Sequence, residues 1–229
     1  MEVDRPVSPS LSLFRSEETT TVVLESPILS RRVLGEIAAA LDELKLEACP
    51  SPLVLTSAHP TIFLAGAHLG EIAGLDQRSC IAYAELGRSI ADRLASHPAA
   101  VVAAVHGSCS GGGFDLTMAC DAVIASPEAT FSHPGVRRGL VTGWGGSAGL
   151  DSVLGSPVLR RALLEGSELD AVAMKELGAV HSIATDPGAQ ARATAGRLSL
   201  LHPSRLASWR LLRSSTFVDR FRAFVVEKS

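Results

Sequence analysis

The sequence AVHGSCSGGGFDLTMACD, residues 104–121, decides the fold. It continues an apolar run, Val101–Val105, of the kind that predicts a strand covered on both faces. Residues 107–113 predict a tight turn, and residues 114–120 predict a helix. Three adjacent glycines before a helix let a ligand approach bare backbone, whose outward N–H groups stabilise negative charge. The same glycines also fit a close strand–helix crossing, and the segment alone leaves both interpretations open.

The chain around this stretch alternates between predicted strands and helices. Strands are predicted over residues 19–25, 53–56, 122–125, 130–132 and 180–183. Helices are predicted over residues 33–46, 79–96, 150–154, 160–169 and 171–177. In the second helix, the residues expected to face inward are Ile81, Leu86, Ile90 and Leu94. Alternation of this kind predicts an α/β domain with largely parallel strand pairing.

Composition excludes several classes of protein. The chain has 21 Lys and Arg against 24 Asp and Glu, so no basic surface for nucleic acid or an anionic membrane is expected. With 46% hydrophobic and 20% charged residues, it has enough apolar side chains to build a core. No apolar run approaches the roughly 20 residues of a membrane-spanning helix, and no secretion signal is recognised. We therefore expect a cytoplasmic protein with reduced cysteines.

Local motifs offer one alternative chemistry. The glycine turn is neither a G-x-G-x-x-G fingerprint, since position 116 is leucine, nor a G-K-[ST] phosphate loop. Residues 107–111, GSCSG, match a cysteine variant of the nucleophile elbow, which would make Cys109 the nucleophile of a thiol hydrolase. No C-x-x-C pair or other metal-type spacing occurs, so no metal is expected.

Two separate segments resemble the signature of the enoyl-CoA hydratase/isomerase (crotonase) superfamily. Residues 63–69, FLAGAHL, are similar to the family's F-x-A-G-A-D-[IL] turn, and residues 101–121 are similar to its central strand, turn and helix. Weaker similarities follow in residues 130–139, 143–146 and 163–178. The order and spacing of these motifs match the family over about residues 18–185.

The resemblance implies an α/β, crotonase-like (ClpP/crotonase) spiral of ββα units with a C-terminal helical appendage. It also implies a substrate held as a coenzyme A thioester, no permanently bound cofactor, and assembly as a homotrimer or dimer of trimers. Composition and pattern predict a loose tail over residues 1–12, a crotonase-like core domain over residues 13–190, and a helical segment over residues 191–229. That last segment carries an apolar stripe for pocket closure or oligomerisation, formed by Trp209, Leu211, Leu212, Phe217, Phe221 and Phe224.

By position, the family's oxyanion hole falls on the backbone N–H groups of Ala67 and Gly112. Such donors stabilise the charge that develops on a thioester oxygen, and each typically contributes about 3–4 kcal/mol to lowering the barrier. The resemblance also implies main-chain contacts to coenzyme A from residues in the first motif: Ala65, Ala67, His68 and Leu69.

The sequence departs from the family's hydratases at both catalytic glutamates. One position holds Asp115, and the other, in the family's P-E pair, holds Gly135. A retracted base can cost on the order of a hundredfold in rate, and loss of the second acid/base typically costs roughly a further hundred to ten thousandfold. Asp115 is the first acid/base candidate and His133 the second, with His68 a weaker one. Trp144, where the family commonly has a small residue, is expected to pack or to wall the acyl pocket.

Together, these expectations predict an acyl-CoA-processing lyase or isomerase of fatty acid metabolism that acts through a stabilised enolate. Standard two-glutamate hydration is not expected, while isomerisation, decarboxylation and hydrolysis stay open. The alternatives are a catalytically weak paralogue that binds acyl-CoA or serves as an oligomer subunit, and the Cys109 hydrolase.

Overall fold

The computed structural model describes residues 5–8, 10–140, 143, 144, 157, 164–201, 206, 207, 209 and 210. The strands are β1 Arg5–Ser8, β2 Leu11–Arg15, β3 Thr20–Leu24, β4 Ile28–Leu29, β5 Leu53–Ser57, β6 Ile62–Leu64, β7 Gly66–Ala67, β8 Val101–Val105, β9 Ser108–Ser110, β10 Ala122–Ala125, β11 Thr130–Ser132, β12 Glu168–Asp170 and β13 Ser182–Ile183. The helices are α1 Arg31–Lys45, α2 Leu69–Ala73, α3 Gln77–Ala95, α4 Gly112–Ala119, a 3₁₀ turn Pro134–Arg138, α5 Ala171–Glu176 and α6 Pro187–Ser199.

Three sheets carry the described strands. The largest has the order β1-β2-β3-β5-β8-β10-β13, a second has the order β12-β11-β9-β6, and β4 pairs with β7. In the largest sheet, β1, β2 and β3 pair antiparallel and all later neighbours pair parallel. Each repeated unit places one strand in the large sheet and the next in a smaller sheet, and a helical segment follows, as in β8-β9-α4. The expected α/β spiral of ββα units is therefore confirmed.

The central strand β8 is buried on both faces, as its apolar run predicts. Successive side chains of a strand point to opposite faces. Val101, Ala103 and Val105 therefore face the main core, while Val102 and Ala104 face a second one. The second core also contains Ala191 and Ala195 of α6, so α6 covers the opposite face of the large sheet.

Side-chain caps fix where several helices begin. Ser30 Oγ accepts from Val33 N at 3.2 Å at the start of α1, and Asp76 Oδ1 accepts from Ser79 N at 2.8 Å at the start of α3. Each cap satisfies a first-turn N–H that has no partner within its own helix.

Some expectations differ from the structure at the chain ends. The tail expected over residues 1–12 contains β1, which pairs antiparallel with β2, so this part of the chain extends the large sheet. The boundary expected between residues 190 and 191 falls inside α6, because the helix begins at Pro187 and packs on the sheet. Most of the predicted apolar stripe, residues 211–224, and the helix predicted over residues 150–154 lie outside the described residues.

Two helix predictions need correction. The helix predicted over residues 160–169 is wrong at its end, because Gly166 takes a φ of 64° and Glu168–Asp170 then pair with β11 as a strand. Ile81, expected to face inward, is 53% exposed. It lies nine residues before the buried Ile90, which at about 100° per residue places it on the opposite side of α3.

An ion pair with the buried carboxylate of Asp121 connects Arg210 to the core. The Asp121 carboxylate accepts from Arg210 Nε at 2.8 Å and Nη2 at 2.7 Å, and from Val101 N at 2.9 Å. Arg210 also donates to the carbonyl oxygens of His97 at 2.6 Å and Ala99 at 3.1 Å. One guanidinium therefore joins the C-terminal part of the chain to the start of β8.

Replacing this guanidinium should destabilise the protein strongly. Arg210→Ala leaves a buried carboxylate without its cation, so we expect the free energy of unfolding to fall by about 2–4 kcal/mol. Urea unfolding measures the change. Arg15→Ala is the matched control, because the Arg15–Glu47 pair is exposed and such pairs contribute less than about 1 kcal/mol. Equal losses in the two variants would contradict this assignment.

Stability should also depend on the protonation of His97. Burial lowers the pKa of this imidazole below its ordinary 6.5, and its Nδ1 accepts from Ala99 N at 3.2 Å. Below pH 6.5 the unfolded chain binds the proton more readily than the folded chain, so stability falls as the pH falls. Urea unfolding from about pH 7.5 down to about 5.5 should show a smaller loss in His97→Asn than in the unaltered protein. Parallel curves for the two proteins would rule out this contribution.

Candidate active site

A cavity of about 530 Å³ lies between the two glycine-containing motifs. It is lined by all four residues predicted to be catalytic, which are Ala67, Gly112, Asp115 and His133. The residues predicted to contact coenzyme A, Ala65, His68 and Leu69, line the same cavity. The structure thus brings together side chains and backbone that are distant in the sequence.

Ala67 is held at the cavity wall by the pairing of β7 with β4. Ala65 N donates to Pro27 O at 2.7 Å, and His68 N donates to Leu29 O at 3.4 Å. Ala67 stands opposite Leu29 in the parallel register. These contacts place Ala67 in the lining of the cavity, which Gly112 also lines.

Gly112 is the first residue of α4 and lies immediately beside β7. A Cβ placed on Gly66 would lie 2.9 Å from Gly112 N and 2.8 Å from Ser110 O, so only glycine allows the two segments to approach this closely. Gly66 also has a φ of 89°, which favours glycine. The preceding Gly111 N donates to Ser132 O at 3.0 Å, whereas a first-turn N–H such as that of Gly112 has no acceptor within its own helix.

Asp115 and His133 form a buried pair in the cavity wall. They are 5% and 8% exposed, and His133 Nε2 lies 3.6 Å from Asp115 Oδ2. Asp115 occupies the first turn of α4, where a carboxylate complements the helix dipole. His133 follows β11, which is held in register with β9. A sheet and a helix therefore position the pair.

Gly135 stands where the family's second glutamate would begin, and its surroundings are close. A Cβ placed there would lie 3.3 Å from Leu140 Cβ, a tight contact, and 3.7 Å from His133 Nδ1. The imidazole of His133 is therefore close both to Asp115 and to the position of the missing side chain.

The imidazole of His68 has a structural role at the start of α2. Its Nδ1 accepts from Glu71 N at 3.0 Å and so caps α2. Glu71 in turn accepts from Arg31 N at 2.9 Å, which links α2 to the start of α1.

The thiol-hydrolase alternative is wrong. Cys109 is fully buried, points into the core from β9 and does not line the cavity. Burial raises the pKa of its thiol to about 12, although a contact with Thr117 Oγ1 at 3.3 Å opposes the shift. A thiol with so high a pKa stays protonated at neutral pH and is a poor nucleophile.

Tyr83 also lines the cavity, although none of the sequence motifs contains it. Its hydroxyl donates to Leu29 O at 2.5 Å and accepts from His68 N at 3.3 Å. Burial raises the pKa of this phenol. Tyr83 lies seven residues, or about two helical turns, before Ile90. This spacing alone would have predicted that it faces inward, as Ile90 does.

Comparison with known proteins assigns the chain to a family. The enoyl-CoA hydratase/isomerase family model matches residues 19–209. A "Probable enoyl-CoA hydratase" of Bacillus subtilis is 27% identical over 206 residues, covering 87% of this chain and 80% of that protein. A "Probable enoyl-CoA hydratase" from Mycobacterium bovis is 30% identical over 199 residues, covering 83% of this chain and 75% of its own length.

Solved structures show the same fold. An enoyl-CoA hydratase from Thermoplasma volcanium superposes with a TM-score of 0.82 at 24% identity, covering 91% of this chain and 85% of that chain. An enoyl-CoA hydratase from Bacillus anthracis superposes with a TM-score of 0.80 at 24% identity, covering 89% of this chain and 81% of that chain. The chain belongs to the enoyl-CoA hydratase/isomerase family.

Two other kinds of site are absent from the described residues. Within them, no helix is long and apolar enough to cross a membrane. The same part of the chain contains no cluster of three or more His, Cys, Asp or Glu side chains suited to a metal ion.

Cysteine labelling should follow burial. Cys49 and Cys80 are exposed, whereas Cys109 and Cys120 are buried. In the folded protein at mildly alkaline pH, iodoacetamide should modify the first two and spare the second two, as measured by peptide mass spectrometry. Cys109→Ser should retain activity, and labelling of native Cys109 that inactivates the protein would restore the hydrolase alternative.

Proposed function

We propose that this chain is an acyl-CoA enzyme that forms a thioester enolate in the cavity between β7 and α4. The observation that carries the proposal is the presence of Ala67, Gly112, Asp115 and His133 around one cavity. Membership of the enoyl-CoA hydratase/isomerase family supports a coenzyme A thioester as substrate.

The backbone N–H groups of Ala67 and Gly112 act as the oxyanion hole. Removing a proton next to the thioester carbonyl places negative charge on its oxygen, and two fixed donors stabilise that charge without reorganisation. Both donors are backbone groups, so no side chain is needed for this role. The small residues at positions 67 and 112 leave room for the thioester oxygen beside them.

The Asp115–His133 pair transfers the proton. An imidazole can accept and return a proton near neutral pH, and the Asp115 carboxylate lies 3.6 Å from Nε2, where it attracts the positive charge that the ring gains. The reaction takes the α-proton to His133, leaves the electron pair in the enolate, and returns a proton to carbon. This role for His133 compensates for the glutamate absent at Gly135.

The chemistry therefore differs from two-glutamate hydration. Isomerisation and decarboxylation of acyl-CoA both use an enolate and need fewer carboxylates, so a lyase or isomerase fits the site. Main-chain groups of Ala65, Ala67, His68 and Leu69 hold coenzyme A, and the family resemblance extends the proposal to a homotrimer or dimer of trimers.

A second candidate is an acyl-CoA-binding paralogue with weak or no catalysis. The glycine at position 135 favours it, because the glutamate of the family's P-E pair is missing there. This candidate binds acyl-CoA in the same cavity but exchanges no proton.

Exchange of the α-protons of an acyl-CoA with deuterium tests the proposal without assuming the final product. We expect the unaltered protein to catalyse exchange in D₂O, as followed by NMR. His133→Ala and Asp115→Ala should each slow exchange by roughly a hundredfold or more, because each removes part of the acid/base pair.

His181→Ala is the matched control, because His181 is exposed and does not line the cavity. It should exchange at the unaltered rate. Binding of acyl-CoA with no exchange in the unaltered protein would establish the paralogue instead, and absence of binding would overturn both candidates.

A further inference from the structure

The side chain of Trp144 fills a slot made by two glycines. It is 5% exposed and lies against Gly112 of α4 and Gly87 of α3. A Cβ on Gly112 would lie 2.0 Å from the indole Cζ3, and one on Gly87 would lie 2.1 Å from Cε2. Because such distances do not occur between real atoms, the indole fits only while both positions are glycine.

Helix α3 presents a matching face to this segment. Tyr83, one turn before Gly87, has its ring centroid 5.8 Å from that of Trp144. A Cβ on Gly143 would lie 3.3 Å from Ala84 Cβ, so the chain before the indole also packs closely on α3. Glycine inside a helix is unfavourable relative to alanine, and here it admits the indole.

The indole lies on the buried side of the cavity. At the rim, Ile28 and Leu69 are 43% and 44% exposed, whereas Trp144 is buried and adjoins Gly112. In the proposed function, the coenzyme A part extends towards the exposed rim and the acyl chain extends towards the buried indole.

We propose that Trp144 sets the upper limit of acyl length and makes the cavity selective for short-chain acyl-CoA thioesters. This inference rests on the proposed function. Each methylene that an apolar pocket buries strengthens binding by roughly fourfold. The gain ends where the chain meets the indole, because further atoms would overpack the site.

Calorimetric titration with butanoyl-, hexanoyl- and octanoyl-CoA tests the limit. The unaltered protein should bind octanoyl-CoA no more tightly than butanoyl-CoA. Trp144→Ala should bind octanoyl-CoA at least roughly tenfold more tightly than butanoyl-CoA. Trp144→Phe should shift the preference in the same direction by a smaller factor, and it provides the test if the alanine variant does not fold.

Control variants show whether the changes come from the position of the Trp144 indole or from a general effect of substitution. Trp209→Phe changes the other tryptophan, which does not line the cavity, and should keep the original length preference. In a Trp209→Phe background, Gly87→Ala should displace the indole and move its fluorescence to longer wavelength. Gly35→Ala, at a helical glycine with nothing within 4 Å, should leave the spectrum unchanged.

The outcomes are distinguishable. If folded Trp144→Ala and Trp144→Phe keep the length preference of the unaltered protein, the inference is overturned and the proposed function stands. An unchanged spectrum in Gly87→Ala would overturn the slot on which the inference rests. If no acyl-CoA binds to the unaltered protein, the proposed function itself fails.

Discussion

The close approach of β7 to the first residue of α4 is the constraint on which the site depends. A Cβ on Gly66 would lie 2.9 Å from Gly112 N, so the two backbone segments meet only because position 66 is glycine. The large sheet fixes one segment through β8, and the β4–β7 pair fixes the other. Strand pairing thus positions the backbone at the proposed donors, and electrostatic stabilisation of a transition state requires donors that are placed before the substrate binds.

Around this constraint, the proposed acid/base groups differ from the family's pattern. Position 135 is glycine, and the buried imidazole of His133 is close both to that position and to Asp115. In the proposed function, His133 and Asp115 take over the proton transfer that two glutamates perform in the family's hydratases. Trp144 then occupies space beside Gly112 and limits what the rest of the cavity can hold.

Local patterns in the sequence were sufficient to predict the central strand and the glycine turn, and the family resemblance added the predicted site residues that line the cavity. Val101–Val105 is apolar throughout because both of its faces are covered. Predictions failed where distant contacts decide the outcome: β1 pairs with β2 rather than forming a loose tail, and Cys109 faces the core rather than the cavity. The slot for Trp144 could not be predicted, because it needs Gly87 and Gly112 from separate helices to face each other.

A crystal structure with a bound acyl-CoA tests the central claim most directly. The thioester oxygen should lie about 2.7–3.1 Å from both Ala67 N and Gly112 N. A thioester oxygen bound elsewhere, or held by neither backbone nitrogen, would contradict the proposed oxyanion hole.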